Sequence, residues 1–356
     1  MIDLLKDSKI IICCGSGGVG KTTISSALGV LGAKSGLKVL VMTLDPARRL
    51  AAALGLDHWD GQDRLVSRYE SGGEFWASMV DPEGVFHSFV EKYAPSEVAA
   101  EIRSNNIFQQ ISTSLSGSQE YSSLEKLYQV SSLANYDLIV LDTPPAQHAM
   151  DFLMAPQKFF SLFQESVVTW LSKADKASGT FVGSILTKGT QVVFKALETL
   201  TGKVFLTELS TFFKTVRTLA EPIREHSSKI QSLLISPTTQ FVLVTSSDSV
   251  KLEEARSFFQ NLKRRGHSLS AVIVNRAFPE WALEGTDIEL IAQDSELKKM
   301  IEVFHRVAKH FESAKEDIAH FESQLSTRVY VKKVPELQKQ PYELDNLNQL
   351  ADILKN

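Results

Sequence analysis

Gly15, Gly20, Lys21 and Thr22 stand in "GSGGVGKTT" at the spacing G-x-x-x-x-G-K-[ST]. These residue types at this spacing do phosphate chemistry. The glycines allow a tight turn whose successive backbone N–H groups face one concavity. A helix starting at the end of the loop adds its positive N-terminus to the same anion site. Lys21 is expected to reach the outer phosphate oxygens and to act in catalysis, and the Thr22 hydroxyl is expected to ligate Mg²⁺. The expected cradle is the whole loop: Gly15, Ser16, Gly17, Gly18, Val19, Gly20, Lys21, Thr22 and Thr23. The bland alternative is a tight glycine turn between a strand and a helix.

Two carboxylates could complete such a site. "DLIVLDTPP" is an apolar run that ends at Asp142, which would place a carboxylate beside the loop to hold the Mg²⁺ shell. The alternative there is a simple strand-end cap. Asp45, in "KVLVMTLDPARRL", is the candidate to orient an attacking water. It equally suits a helix N-cap with Pro46 at the first helical position, and the two roles are compatible. Base choice follows from chemistry as well. A guanine site of the N-K-x-D kind needs an acid to accept the ring N–H groups. "NRAF", which begins at Asn275, has none, so ATP is favoured over GTP.

The elements that must position these residues read as an α/β fold with a mostly parallel sheet. "KIIICC", "KVLVMT", "YDLIVLDTPP", "QFVLVTSS", "SAVIVNRA" and "RVYVKKVPEL" are strand-like, and turn-forming or polar residues follow them. Ligands of open α/β sheets bind at those carboxyl ends. "TTISSALGVLGAKSG", residues from Asp81 to about Val130, from Phe152 to about Leu234, and from Ser295 to Leu325 read as helical. The expectation is a P-loop NTPase core flanked by helices, over about residues 1–80, 131–150, 236–280 and 326–356. Insertions at about 81–130, 151–235 and 281–325 would build an α-helical subdomain.

Composition narrows the partners. The 356 residues carry a net charge of −4, so no basic surplus points to nucleic acid. The two cysteines, Cys13 and Cys14, are adjacent, cannot staple distant segments and cannot close a zinc site, so no zinc is expected. Cysteine use of this kind fits a reducing compartment, and a cytoplasmic location is expected. The N-terminus does not read as a signal peptide, because its short apolar run follows Asp3 and Asp7 and leads straight into the loop. No apolar stretch is long enough to cross a bilayer.

"GSGGVGKTT", "TLDPARRL", "GSQEY" and "DTPPAQHAMDFLMAP", in this order, resemble the ArsA-type ATPases, which include the arsenite-pump ATPase and the GET-pathway targeting ATPase for tail-anchored proteins. The resemblance runs from about Ile10 to the C-terminus. It implies a deviant phosphate loop, two switch regions, and a dimer that ATP opens and closes. By position, Asp45, Pro46, Arg48 and Arg49 fall in the first switch. Asp142, Thr143, Pro144 and His148 fall in the second, with Glu120 in a G-x-x-E segment. Asn275 and Pro335 match adenine-side positions. Glu120 also suits a solvated helix face, and His148 an ordinary hydrogen-bonded histidine.

Departures from the pattern matter as much. Ser16 stands where the family has a signature lysine that reaches the partner's nucleotide. A hydroxyl supplies no charge, and a cation at a transferring phosphoryl group is worth roughly a thousandfold in rate. Slow turnover by the isolated chain is therefore expected, with Arg48, Arg49 or a paralogous subunit as substitute cations. No cysteines are available for a metalloid site or a C-x-x-C zinc clasp. Nine of the twenty phenylalanines lie between Phe152 and Phe213, where the resemblance implies a groove for a hydrophobic client and the bland reading is a buried helical layer or a dimer contact. Leu297, Met300, Phe304, Val307, Phe311, Ala314, Ile318, Phe321 and Leu325 form a seam of alternating three- and four-residue steps. The resulting expectation is a Mg²⁺-dependent ATPase using ATP/ADP, as a homodimer or heterodimer, that handles a hydrophobic or membrane-protein client. Peripheral attachment at a membrane is compatible with that role. The alternative is a poorly catalytic regulatory subunit paired with a paralogous ATPase. An arsenite-pump subunit is the least favoured reading.

Overall fold

The computed structural model describes residues 1–44, 62–104, 118–144, 152–158, 208, 217–277, 295–337 and 344–355. The chain groups into two compact units. One comprises Met1–Met79, Leu133–Met150 and Ile235–Asn356, and the other comprises Val80–Ser132 and Asp151–Leu234.

The first unit holds the sheet. In chain order its elements are helix α1 (Ile2–Asp7), β1 (Ile10–Gly15), α2 (Lys21–Lys34), β2 (Lys38–Thr43), β3 (Arg64–Arg68), β4 (Glu74–Met79) and β5 (Leu138–Asp142). After β5 the strands are β6 (Thr239–Ser246), β7 (Leu269–Ala277) and β8 (Tyr330–Pro335). Among the described residues the sheet order is β3-β4-β2-β5-β1-β6-β7-β8. Every pairing is parallel except β3 with β4.

Ile11, Cys13, Val39, Val41, Leu138, Val140, Val242, Val244 and Ile273 alternate along their strands and join one buried cluster with α1, α2 and the C-terminal helix at Leu344–Lys355. The intervening residues Ile12, Leu40, Leu141, Leu243 and Val272 are buried as well. Burial on both faces explains why these strands read as continuous apolar runs rather than alternating ones. From β1 the chain crosses to β2 on one side, and β6 later pairs on the other. The carboxyl end of β1 is therefore a point where strand order reverses, the place where such sheets form a crevice.

The sequence reading gave six strands; the structure adds β3 and β4. They are short, β3 is only half-buried, and its pairing carries a register shift between Leu65 and Ser67. A half-buried edge strand has no apolar run to announce it. The turn between the two strands has Gly72 at φ 83°, with Gly72 N–H donating to Tyr69 O at 2.9 Å.

In the second unit, α3 (Pro82–Tyr93), α4 (Ser96–Ser104), α5 (Ser118–Leu133) and α6 (Ala220–Leu234) are helical, as is residues 152–158. Pro82 opens α3 at a position where a missing N–H costs nothing. Phe86, Phe89, Tyr121, Leu124, Leu127, Ile223 and Ile230 are buried. Among them a histidine meets a carboxyl group. His226 Nδ1 is 3.0 Å from both oxygens of Glu125, and Gln129 Nε2 donates to the same carboxylate at 3.0 Å. The rings of Phe89, Tyr93 and Tyr128 surround the imidazole at 5.3, 4.9 and 5.4 Å between centroids.

Two further helices belong to the sheet unit, α7 (Ser249–Arg264) and α8 (Ser295–Ser323). The expected grouping placed 281–325 with the helical insertions. The stripe Ala314, Ile318 and Phe321 of α8 is buried, and its C-terminal part packs on α7. Lys333 of β8 pairs with Glu322 at 3.2 Å. The earlier seam positions and Trp170 lie outside the described side chains, as do all the Phe152–Phe213 phenylalanines except Phe152 itself, which is buried. Among the described residues no helix is long and apolar enough to cross a membrane.

Candidate nucleotide site

β1 delivers the chain to the loop and α2 leads it away. Gly15 ends the strand at φ 152°, against the Val244 carbonyl of β6, where a Cβ has no room. Gly20 takes the left-handed conformation at φ 91° as the N-cap of α2, with no side-chain cap. No side chain competes for the first N–H groups of the helix, which suits them to an anion. Gly17 and Gly18 are exposed at the tip, and a Cβ at Gly18 would meet nothing within 4 Å. Val19 is buried and anchors the loop in the core.

Lys21, Thr22 and Asp142 all make hydrogen bonds at the loop. Lys21 is buried and its Nζ donates to Ser16 O at 2.9 Å. Thr22 Oγ1 donates to Asp142 Oδ2 at 2.6 Å, so the loop hydroxyl and the carboxylate at the end of β5 are in direct contact. Thr43, the last residue of β2, donates to the same oxygen at 3.0 Å. Thr143 N–H and Oγ1 both donate to Cys13 O, at 3.2 and 2.8 Å, and hold the exit of β5 against β1. Thr23 and Pro144 are half-buried beside these groups.

At the other side of the loop, Asn275 Nδ2 donates to Val19 O at 2.8 Å. Its neighbour Arg276 has φ 56°, a left-handed conformation uncommon for a side-chain-bearing residue, at an irregularity where β7 pairs with β8. Pro335 ends β8 opposite Ala277, so the two expected adenine-side residues sit on adjacent strand ends. Glu120 lies in α5 of the helical unit and is half-buried. Asp45, Pro46, Arg48, Arg49 and His148 lie outside the described residues.

The donor set fits the groups that the loop implies. A hydroxyl and a carboxylate in contact are hard oxygen ligands of the kind Mg²⁺ takes, alongside water and phosphate oxygens. Glycines without Cβ atoms, a buried ammonium and an uncapped helix start fit a polyphosphate. The cysteines do not fit metal chemistry. Both are buried, burial pushes the Cys13 thiol up to about 12, and Cys14 is raised well above its ordinary value for the same reason.

A parallel sheet with this loop at its switch point, and the Thr22–Asp142 contact beside it, defines a P-loop nucleoside triphosphatase. Comparison with known families carries this further. A profile of the anion-transporting ATPases, ArsA_ATPase, matches residues 8–354, and the chain belongs to that family; it is an ATPase. It is 25% identical over 358 residues to a protein of Aquifex aeolicus provisionally named arsenical pump-driving ATPase 1, covering 97% of this chain and 78% of that one. It is 30% identical over 279 residues to the ATPase get3 of Aspergillus terreus, covering 77% and 75%. The ATPase get3 of Aspergillus niger is 29% identical over 284 residues, covering 78% and 76%.

Sequence reasoning missed one participant and one contact. Thr43 was read only as the end of a strand, though it stands two residues before Asp45 and its hydroxyl reaches Asp142. The contact of Asn275 with the loop backbone has no sequence signal, because it joins residues 256 positions apart.

Proposed function

We propose that this ATPase is a Mg²⁺-dependent nucleotide switch that works as a dimer and couples its cycle to the handling of a hydrophobic or membrane-protein client. The observation that carries the nucleotide part is the convergence of Lys21, Thr22 and Asp142 at the carboxyl end of β1. Bound Mg²⁺ would neutralise charge on the outer phosphates and fix their geometry. Thr22 and Asp142 hold that ion and its water shell, while Lys21 leaves Ser16 O to meet phosphate oxygens. Asn275 and Pro335 line the base side, and Asp45 orients the water. Ser16 contributes a hydroxyl and no charge, so turnover by the chain alone is slow.

Ser16 also favours a second reading, a regulatory subunit whose missing cation comes from a paralogous chain. Metalloid transport through thiolate ligands is disfavoured, because the cysteines are buried and their thiols raised. The test is hydrolysis by purified protein with Mg²⁺ and with a chelator, together with mass measurement in ATP and in ADP. Slow Mg²⁺-dependent hydrolysis and an ATP-dependent dimer are expected. Rapid hydrolysis by a monomer would refute the switch, and no hydrolysis until a paralogue is added would select the second reading.

A further inference from the structure

Val19 O sits one residue outside the helix that follows it. The first carbonyl in the ladder of α2 is that of Gly20, which accepts from Ile24 N at 2.9 Å. Val19 O instead accepts from Asn275 Nδ2 at 2.8 Å, and both residues are buried. The donor is held from the sheet, because Asn275 pairs with Ser246 of β6 on one side and with Val334 of β8 on the other. It also lies hard against the loop. A Cβ at Gly20 would collide with Asn275 Nδ2, so this position needs glycine twice, for its φ of 91° and for the approach of the amide. One peptide plane carries the consequence. In a trans peptide the C=O and N–H point to opposite sides, so fixing Val19 O also fixes the Gly20 N–H. That N–H and the uncapped first N–H groups of α2 are the donors offered to an anion.

We propose that Asn275 is a positioning residue for the phosphate loop: its bond to Val19 O holds the Val19–Gly20 peptide in the anion-binding orientation and so sets the loop's affinity for a polyphosphate tail, whether or not a base is attached. The inference rests on the nucleotide reading of the loop and is separate from the base-side role proposed for the same residue. A side-chain amide has a second N–H and an oxygen for that other role. Without the bond to Asn275 the peptide samples several orientations, and only the fraction in the competent one binds. A hydrogen bond to a buried carbonyl, together with the cost of leaving that carbonyl without it, shifts the fraction about tenfold.

The experiment reads the equilibrium affinity of the full chain for ATP and for inorganic tripolyphosphate, each with Mg²⁺, by calorimetry, with melting curves alongside. Tripolyphosphate carries the tail without ribose or base. Asn275→Ala removes the donor, and Asn275→Leu removes it while keeping most of the volume. Both variants are expected to bind tripolyphosphate about tenfold more weakly than the parent, and to lose at least as much for ATP. Should either variant melt below the assay temperature, the other decides. A purely structural bond would lower the melting temperature and leave the affinity of the folded chain unchanged. A residue that touches only the base would weaken ATP and leave tripolyphosphate at parental affinity. Either result overturns the inference while the nucleotide reading stands. So does parental tripolyphosphate affinity in Asn275→Leu alone, which would assign the loss to missing volume. A parent that binds ATP but not tripolyphosphate also overturns it, because the loop then has no affinity of its own for the tail. A parent chain that binds neither overturns both readings.

Discussion

Thr22→Val removes one oxygen from the site and keeps the side-chain shape. The Thr22 hydroxyl donates at 2.6 Å to a carboxylate that is 2% exposed, and Thr43 donates to the same oxygen at 3.0 Å. A hydrogen bond to a charged group is worth about 1.5–3 kcal/mol, and the donor that remains at Asp142 puts the stability loss near the lower figure. A protein with about 5–15 kcal/mol of stability stays folded after that loss. Turnover answers to a different quantity. Loss of one oxygen that helps stabilise transition-state charge costs about 3–4 kcal/mol, or about a hundred- to a thousandfold in rate. The two effects are separable, because the fold survives a change that the chemistry does not. Phosphate release measured across a Mg²⁺ titration should fall at least a hundredfold in Thr22→Val, with nearly parental melting. Thr22→Ser, which keeps the oxygen, should stay within several-fold of the parent. Parental turnover in Thr22→Val at saturating Mg²⁺, or equal damage from Val and Ser, would show that the hydroxyl is a structural bond and not a metal ligand.

Other perturbations address other parts of the molecule. Gly15→Ala drives a methyl into the Val244 carbonyl, a backbone atom that cannot swing away, and should lower the melting temperature by many degrees. Gly18→Ala meets no atom and should cost only about 1 kcal/mol of left-handed strain, so equal melting losses would refute the packing argument. Because burial raises both thiols, iodoacetamide at pH 8 should leave Cys13 and Cys14 unlabelled in the folded chain and label both in denaturant. A raised thiol stabilises the fold fully below its ordinary value of 9.0, and that contribution is lost as pH climbs toward about 12, so melting temperature should fall over that window; labelling at pH 8 without unfolding would contradict the burial. Glu125→Ala leaves buried His226 Nδ1 and Gln129 Nε2 without their shared partner and should cost about 1–3 kcal/mol, whereas Glu125→Gln keeps a hydrogen-bonding group and should cost less; parental melting of the alanine variant would show that the contact carries little.

The phosphate loop was legible because its chemistry is local: eight consecutive residues set the turn, the helix start and the position of Lys21. Asp142 was legible for a related reason, since a strand buried on both faces reads as an apolar run and its first polar residue marks the rim. The hairpin β3–β4 was not, because an edge pair with a register shift carries neither an apolar run nor clean alternation. Glu125 in "SLEKLYQV" looks like one more solvated glutamate, and only the approach of α6, a hundred residues later, turns it into a buried partner of His226. Long helix α8 announced itself by its stripe, but periodicity fixes which face is buried and not what buries it. Its contact with α7 is a tertiary fact.

The polar groups of the site bond to one another: Lys21 to Ser16 O, Thr22 and Thr43 to Asp142, Asn275 to Val19 O. A polyphosphate that recruits Lys21 and Thr22 therefore exchanges hydrogen bonds more than it adds them, and each exchange is worth only about 1 kcal/mol. Affinity then depends mainly on how charge is balanced at the loop. The same exchange has a mechanical consequence. Asp142 Oδ2 accepts from Thr22 of the loop and from Thr43 at the end of β2, so drawing Thr22 toward a metal leaves Thr43 as its remaining hydroxyl partner among these bonds. Thr43 stands two residues before Asp45, and Asp142 opens the segment that runs to His148. One carboxylate oxygen thus links the phosphate loop to the starts of both segments proposed to switch. On this account Thr43→Val should leave nucleotide affinity nearly unchanged and alter the difference between ATP- and ADP-bound forms, read as protease protection of residues 45–61. Identical ATP and ADP protection patterns in Thr43→Val and the parent would show that the hydroxyl carries no signal between them.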